Sequence, residues 1–131
     1  MIIDTSAIVA MLQLEPEATR MLRLLSGRKD SVMSAGNYLE CGIVVDGAKD
    51  PEASTALDAL IRRLGIAIAP ITEEHARLAR QAYRDFGKGS GHPAKLNFGD
   101  CFAYALAMER GEPLLYKGED FAKAGLKKLV G

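Results

Sequence analysis

The chain has 131 residues, a length typical of one domain that buries about two-thirds of its unfolded surface. Its 17 basic and 17 acidic residues cancel, which excludes a global positive field for a polyanion, so any nucleic-acid contact must come from a local basic patch. The apolar opening stretch, interrupted by Asp4, is too short to cross a bilayer and predicts a cytoplasmic protein without membrane contact. In that compartment Cys41 and Cys101 are expected to be reduced core thiols.

The first half of the chain alternates short apolar runs with longer segments of helical periodicity. Thr5 or Ser6 is the expected N-cap of the first helix, and Pro51 breaks the chain between the third and fourth helices. The predicted elements are a strand over residues 1–3, helices over 7–12 and 15–25, a strand over 30–34, and helices over 35–49 and 52–64.

The second half continues the alternation and contains one glycine-rich loop, residues 87–93. Its predicted elements are a strand over residues 66–70, a helix over 73–86, a helix from Asn97 to Gly111, a strand over 113–116, a short helical segment over 121–126 and an edge strand at 129–130. The predicted core face of the helix after Asn97 contains Phe102, Ala103, Ala105, Leu106 and Met108. Strands that alternate with helices predict an α/β domain over residues 1–131, with a parallel sheet covered by helices on both faces.

Four carboxylates lie at the ends of predicted apolar segments: Asp4, Glu40, Asp100 and Asp120. Asp4 and Asp120 follow predicted strands, and Asp100 lies in a first helical turn. Because the crevice of a parallel sheet lies beyond the carboxyl ends of its strands, we expect these acids to converge there. Packed carboxylates repel one another unless they are protonated or bind a cation, and all-oxygen ligands suit Mg²⁺ or Mn²⁺.

Each acid also has a structural interpretation. Asp4 could be a turn residue, and Asp120 a cap of the segment after it. Glu40 could be a solvated face residue, although the apolar Leu39 and Ile43 beside it favour at least partial burial. Asp100 stands three residues after Asn97, the spacing of a capping box. Four separate coincidences at one sheet edge are less economical than one metal site.

Basic residues stand on or beside the glycine-rich loop that leads into the acidic helix. Such a loop would supply the phosphate contacts that the net charge does not. The candidate RNA-binding residues are Arg84, Lys88, His92 and Lys95. A solvated loop without such a role is the alternative.

Four segments together resemble a known family. They are Ile3-Asp4-Thr5-Ser6-Ala7, Tyr38-Leu39-Glu40, the run from Leu96 to Ala107, and the run from Pro113 to Phe121. In order and spacing they resemble PIN domains, specifically the toxin ribonucleases of VapBC toxin–antitoxin pairs. The resemblance implies a three-layer α/β/α sandwich with endoribonuclease activity that depends on Mg²⁺ or Mn²⁺, usually dimeric and silenced by an antitoxin encoded beside it.

The same resemblance assigns Asp4, Glu40 and Asp100 to the metal site, with Asp120 favoured over Glu119 as the fourth acid. Hydrolysis would then proceed by in-line attack of a metal-activated water. Thr5 and Ser6 are expected to support the carboxylates or to cap the helix, and Asn97 to support Asp100.

The antitoxin is expected to place an arginine among the carboxylates and a helix against apolar surface around Leu12, Leu22 and Leu25. Two other functions stay open at this point. One is a phosphoacceptor receiver domain that uses Lys117, and the other is a PIN fold that binds RNA without cleaving it.

Overall fold

The computed structural model of the chain describes residues 1–126. A parallel sheet forms its centre, and the four strands are β1 (Ile2–Ile3), β2 (Val32–Ser34), β3 (Ala67–Ala69) and β4 (Leu114–Leu115). Their spatial order is β3-β2-β1-β4, and all three neighbouring pairs are parallel. The first strand in the sequence, β1, therefore lies between β2 and β4, and its carboxyl end faces the crevice beyond the strand ends.

Seven helices lie within the described residues, each close to a predicted position. They are α1 (Thr5–Leu12), α2 (Ala18–Leu25), α3 (Ala35–Gly47), α4 (Pro51–Arg63), α5 (Glu73–Phe86), α6 (Phe98–Arg110) and α7 (Asp120–Lys123). Gly111 ends α6 in a left-handed conformation, with φ of 62°. The predicted edge strand at residues 129–130 lies outside the described residues.

The pleat of the strands divides the core into two halves. Ile3, Met33 and Leu115 pack in one cluster with side chains of α1 to α4, whereas Ile2 and Leu114 pack with α5 to α7 on the other face. Successive strand residues point to opposite faces, so short apolar strands such as Ile2-Ile3 serve both layers. The predicted α/β/α sandwich is confirmed.

Several local predictions were wrong. Asp4, rather than Thr5 or Ser6, is the N-cap of α1, because its carboxylate accepts the backbone hydrogen bond of Ser6. Pro16 lies in a turn before α2 instead of inside the helix. Met108 was expected in the core but is 49% exposed, because α6 buries the smaller residues Ala103 and Ala107 in its place.

Apolar exposure also differs from expectation. Leu25 was expected on a docking surface but is fully buried against the sheet, and Leu12 and Leu22 are half-buried. Glu40 is half-buried as expected, but its apolar neighbours Leu39 and Ile43 are both more than half exposed. Both cysteines are buried free thiols, as predicted. No helix within residues 1–126 is long and apolar enough to span a bilayer.

Candidate active site

Asp4 stands where β1 turns into α1, at the carboxyl edge of the sheet. Its Oδ2 atom accepts two hydrogen bonds from Ser6, one from the backbone N–H at 2.9 Å and one from the hydroxyl at 2.6 Å. The side chain is buried, and the other oxygen, Oδ1, has no hydrogen-bond partner among residues 1–126. An unpartnered buried carboxylate oxygen is costly, so it marks a position where a ligand would be stabilising.

Ser6 connects this turn to the neighbouring strand. Its hydroxyl donates to Asp4 and accepts a 2.9 Å hydrogen bond from the backbone N–H of Lys117, directly beyond β4. The hydroxyl therefore holds Asp4 in one rotamer relative to two adjacent strand ends. This agrees with the supporting role predicted for Ser6.

Glu40 reaches the same edge from the second turn of α3. Its Oε1 atom accepts a 2.5 Å hydrogen bond from the hydroxyl of Thr5, and the side-chain amide of Asn37 lies 3.5 Å away. The helix is placed by Ser34, the last residue of β2, whose hydroxyl accepts from the backbone N–H of Gly36. The Thr5 hydroxyl thus joins the segment after β1 to the segment after β2.

Asp100 lies in the first turn of α6 and belongs to a reciprocal capping box. The Asn97 side chain accepts from the Asp100 N–H at 2.8 Å, and the Asp100 carboxylate accepts from the Asn97 N–H at 2.9 Å. This capping role was the structural alternative for Asp100, and it is present. It occupies only Oδ2, so it is compatible with a second role for the carboxylate.

The neighbouring acidic charges affect the pKa values of Asp4 and Asp100. Burial raises the pKa of Asp4 from 3.8 to about 7; the hydrogen bonds from Ser6 oppose the shift, and the charges of Asp100 and Glu40 add to it. Burial also raises the pKa of Asp100 above its usual range, the hydrogen bond from Asn97 opposes this, and the charges of Asp120 and Glu40 reinforce it. Such mutual repulsion indicates that the four carboxylates share one region of space.

A family model described as the PIN domain matches residues 1–127. The chain belongs to the PIN domain family. Its similarity extends to curated relatives over almost their whole length: Ribonuclease VapC28 of Mycobacterium tuberculosis is 54% identical over 130 residues, covering 99% of this chain and 98% of the relative. Ribonuclease VapC42 of the same species is 45% identical over 127 residues, covering 97% of each.

Solved structures agree on the fold. Mycobacterium tuberculosis VapC20, described as a sarcin-ricin loop cleaving toxin, superposes with a TM-score of 0.73 at 17% identity, covering 99% of this chain and 98% of that one. A toxin–antitoxin complex from Klebsiella pneumoniae gives 0.67 at 19% identity, covering 92% and 89%. The PIN-like architecture is confirmed by both, and the recognition of the chain as a VapC-type PIN domain is confirmed by its relatives.

The position of Lys117 argues against the alternative of a phosphoacceptor receiver domain. Lys117 was the candidate lysine, but its ammonium group pairs with Glu15 and also lies 3.6 Å from Glu17. It is therefore directed toward the segment between α1 and α2 and is neutralised there. The membership of the PIN family excludes the receiver fold independently.

The donor set fits a hard divalent cation in chemistry and charge. It offers carboxylate oxygens only, one of them the unpartnered Oδ1 of Asp4, and the like charges around Asp4 and Asp100 would be relieved by a cation. Within the described residues, however, no three Asp, Glu, His or Cys side chains form a group that could hold an ion directly. Mg²⁺ usually keeps several waters and contacts only one or two carboxylates, so this arrangement does not conflict with such an ion.

Asp120 begins α7 and is exposed. After burial, its charge is the strongest influence that raises the pKa of Asp100. Glu119 precedes Asp120 at the N-cap position. This charge effect is consistent with Asp120 as the fourth acid, which stays a prediction.

Two residues at the site were missed by the sequence analysis. Asn37 is completely buried, and its amide nitrogen donates to the Gly99 carbonyl at 3.0 Å and to the Thr5 hydroxyl at 3.2 Å. Gly99 lies against the Glu40 carboxylate, in space where a Cβ atom would overlap it. The i, i+3 spacing of Asn37 and Glu40, which places both on one helix face, was the available signal for Asn37.

The basic loop residues are placed unequally. Arg84, Lys88 and Lys95 are exposed, and the positive charge of Lys88 is near enough to Asp100 to oppose the rise in its pKa, which burial dominates. His92 instead supports the loop: its Nδ1 accepts from the Ala94 N–H at 3.0 Å. The imidazole also packs against the ring of Phe86, with 4.9 Å between the two ring centroids.

Proposed function

We propose that the chain is a Mg²⁺-dependent endoribonuclease, with Mn²⁺ as a possible substitute, and that it acts as the toxin of a type II toxin–antitoxin pair. The observation that carries the proposal is the buried Asp4 carboxylate, whose free oxygen lies in a region where the charges of Glu40 and Asp100 also act. The curated relatives named ribonucleases, at 54% and 45% identity, support the same activity.

Asp4, Glu40, Asp100 and Asp120 would hold the ion. When bound, the ion would lower the pKa of a water molecule and neutralise charge on the scissile phosphate. The protein's own contribution is orientation. Ser6 holds Asp4 and Thr5 holds Glu40, while the capping box holds Asp100 at the start of α6. Hydrogen bonds that orient carboxylates are worth about 10- to 100-fold in metal affinity or activity at comparable sites.

RNA would approach across the basic loop. Lys88 is the candidate best placed for a phosphate, because its charge already acts on Asp100. Arg84 and Lys95 are exposed, so they could contact further phosphates of the RNA. His92 would contribute by holding the shape of the loop. Phosphate contacts of this kind position the substrate without reading its sequence.

Cleavage of a labelled RNA by the purified chain tests the activity. We expect cleavage with Mg²⁺ or Mn²⁺, loss of cleavage with a chelator, and recovery when the ion is restored in excess. A chain that binds RNA but leaves it intact under all these conditions would instead be the non-catalytic PIN module.

The partner would be an antitoxin protein encoded beside the chain. The acidic site favours an arginine, whose guanidinium pairs with a carboxylate in a bidentate manner. The apolar anchor was expected around Leu12, Leu22 and Leu25. A groove of about 170 Å³ between α1, α3 and α4 offers such an anchor, and it is lined by Val9, Leu12, Val44 and Ala56 among others. The solved Klebsiella pneumoniae complex, a toxin bound to an antitoxin, supports a partner of this class.

A homodimer is the second assembly we propose. Apolar side chains on α3 and α6, among them Leu39, Ile43 and Phe98, are 62%, 64% and 77% exposed, which is unusual for a chain that acts alone. Sedimentation of the purified chain decides between a monomer and a dimer.

Mixing the purified chain with the neighbour-encoded protein and titrating Mg²⁺ tests the antitoxin proposal. We expect a complex that does not cleave RNA, and a complex with full activity would contradict the proposal.

A further inference from the structure

Asn37 is the most completely buried polar side chain near the carboxylates, with no exposed surface. It lies one helical turn before Glu40 on α3 and contacts the two other segments that carry acids. Its amide nitrogen is 3.2 Å from the Thr5 hydroxyl, which follows Asp4, and 3.0 Å from the carbonyl of Gly99, which precedes Asp100. One side chain thus connects β1–α1, α3 and α6.

The direction of each hydrogen bond follows from the groups involved. The Gly99 carbonyl can only accept, so the Asn37 atom that faces it must be the amide nitrogen. The Thr5 hydroxyl donates its single hydrogen to Glu40 Oε1 at 2.5 Å, so it must accept from Asn37. The result is a chain from amide to hydroxyl to carboxylate, in which each bond polarises the next.

The other end of the amide argues against a purely structural role. The Oδ1 atom of Asn37 is buried and has no hydrogen-bond partner in the described part of the chain. Leaving a buried acceptor unpaired costs stability, so packing alone does not favour an amide here over an apolar side chain of similar size. An asparagine at this position is therefore explained by its two N–H donors and not by packing.

Gly99 gives the arrangement its close approach. Helix α6 lies so near Glu40 that a Cβ atom at position 99 would push the Glu40 carboxylate out of its place, and the backbone carbonyl of Gly99 accepts from Asn37. The contact between α3 and α6 therefore sets where the Glu40 carboxylate lies relative to Asp100, the residue that follows Gly99.

We propose that Asn37 is a positioning residue that holds Glu40 and Thr5 in the geometry needed to bind the divalent cation. This inference rests on the proposed function, and it adds a residue for which neither the family resemblance nor the relatives supplied a role. Asn37 touches neither RNA nor the reacting water in this account. It acts through the Glu40 carboxylate.

The test compares Asn37→Leu with wild type by two measurements: the melting temperature as Mg²⁺ is added without RNA, and RNA cleavage as a function of Mg²⁺. We expect Asn37→Leu to melt below wild type without the ion, because the Gly99 carbonyl loses its donor. Measured against its own ion-free melting temperature, it should need about ten-fold more Mg²⁺ for half-maximal stabilisation. The same ten-fold shift is expected in cleavage, with kcat recovering at saturating Mg²⁺.

The matched control is Ser31→Ala, which removes a different buried polar group at the amino end of β2, far from the carboxyl edge. It should leave the Mg²⁺ dependence unchanged. Thr5→Val breaks the same hydrogen-bond chain, so the double variant with Asn37→Leu should shift the Mg²⁺ requirement no further than the larger single effect. Asn37→Ala gives the same comparison if the leucine variant does not fold.

The outcomes separate the two proposals. A wild-type Mg²⁺ requirement in Asn37→Leu and Asn37→Ala overturns the positioning role and leaves the ribonuclease proposal intact. A wild-type chain that neither gains stability from Mg²⁺ nor cleaves RNA with it overturns both. Additive effects of Thr5→Val and Asn37→Leu contradict the hydrogen-bond chain.

Discussion

Gly99 and Glu40 are in direct contact, although 59 positions separate them in the chain and they belong to different helices: a Cβ atom at Gly99 would overlap the Glu40 carboxylate. The backbone of Gly99 has no positive φ, so the glycine matters here for the space it leaves to the Glu40 carboxylate and not for its conformation. The carboxylate can approach Asp100 because the preceding residue has no side chain.

Gly99→Ala should therefore displace Glu40 while α6 itself remains helical. Misplacement of a catalytic group by about 1 Å can cost about 100-fold in rate, and we expect a loss of 10- to 100-fold in kcat for RNA cleavage. Gly47→Ala is the matched control, because a Cβ atom at Gly47 meets nothing within 4 Å. That variant should keep full activity and gain about 0.5–1 kcal/mol of stability.

Asp100→Asn separates the capping role of this residue from its charge. Asparagine still accepts the hydrogen bond from the Asn97 N–H, so we expect the free energy of unfolding to stay within about 1 kcal/mol of wild type. Loss of the charge should reduce Mg²⁺-dependent cleavage by about two orders of magnitude or more.

Asp50→Asn provides the control for that comparison. Asp50 is an exposed N-cap of α4, whose carboxylate accepts from the Glu52 N–H, so the same exchange is made at a helix start far from the site. Its activity should equal that of wild type. If Asp100→Asn cleaves RNA at the wild-type rate, Asp100 is a capping residue only.

The pKa of Asp4 predicts how stability depends on pH. Its folded value of about 7 exceeds the ordinary 3.8, so the folded state binds the proton more tightly than the unfolded state. The free energy of unfolding should be highest below pH 3.8 with respect to this group and fall as the pH rises toward 7. The difference between these two pKa values corresponds to about 4 kcal/mol, as an order of magnitude.

Thermal unfolding of the metal-free chain between pH 4.5 and 7.5, repeated with Asp4→Asn, measures this contribution. The variant should show a smaller decrease across the range. Because Mg²⁺ would bind only the ionised carboxylates, its addition should stabilise wild type more at pH 7.5 than at pH 5. Equal stabilisation at both pH values would argue against an ion at Asp4.

The order of elements and the three central acids were accessible from the sequence for a physical reason. Asp4 follows an apolar run and Asp100 opens a strongly periodic helix, and such local signals survive in the folded chain. The parallel sheet then places strand ends together.

The contacts that orient the acids were not accessible in the same way. The bond from Asn37 to Gly99 joins residues far apart in sequence, and its existence depends on how closely α3 and α6 pack. Helical periodicity likewise misjudged Met108, because it identifies a helix face but not which neighbour covers each residue. The exposed Leu39 and Ile43 show the same limit.

Lys88→Ala tests the route of RNA to the site. Lys88 is exposed and its charge acts on Asp100, so we expect weaker RNA binding and a salt dependence whose logarithmic slope falls by about 0.7. Lys29→Ala is the control, since Lys29 is exposed before β2 at the opposite edge of the sheet. Filter binding with a catalytically inactive background measures both, and equal slopes in the two variants would remove Lys88 from the RNA path.

Ala56→Glu tests the partner groove without touching the acids. Ala56 lines the apolar groove together with Val9 and Leu12, and a buried, unpaired carboxylate there would be costly once a partner helix covers it. We expect at least a ten-fold weaker complex with the antitoxin, while RNA cleavage by the free chain is unchanged. Thr55→Glu introduces the same charge at an exposed position on α4 that does not line this groove, so it should bind normally. Calorimetry on the three proteins distinguishes the cases, and equal affinities for all of them would place the antitoxin on a different surface of the chain.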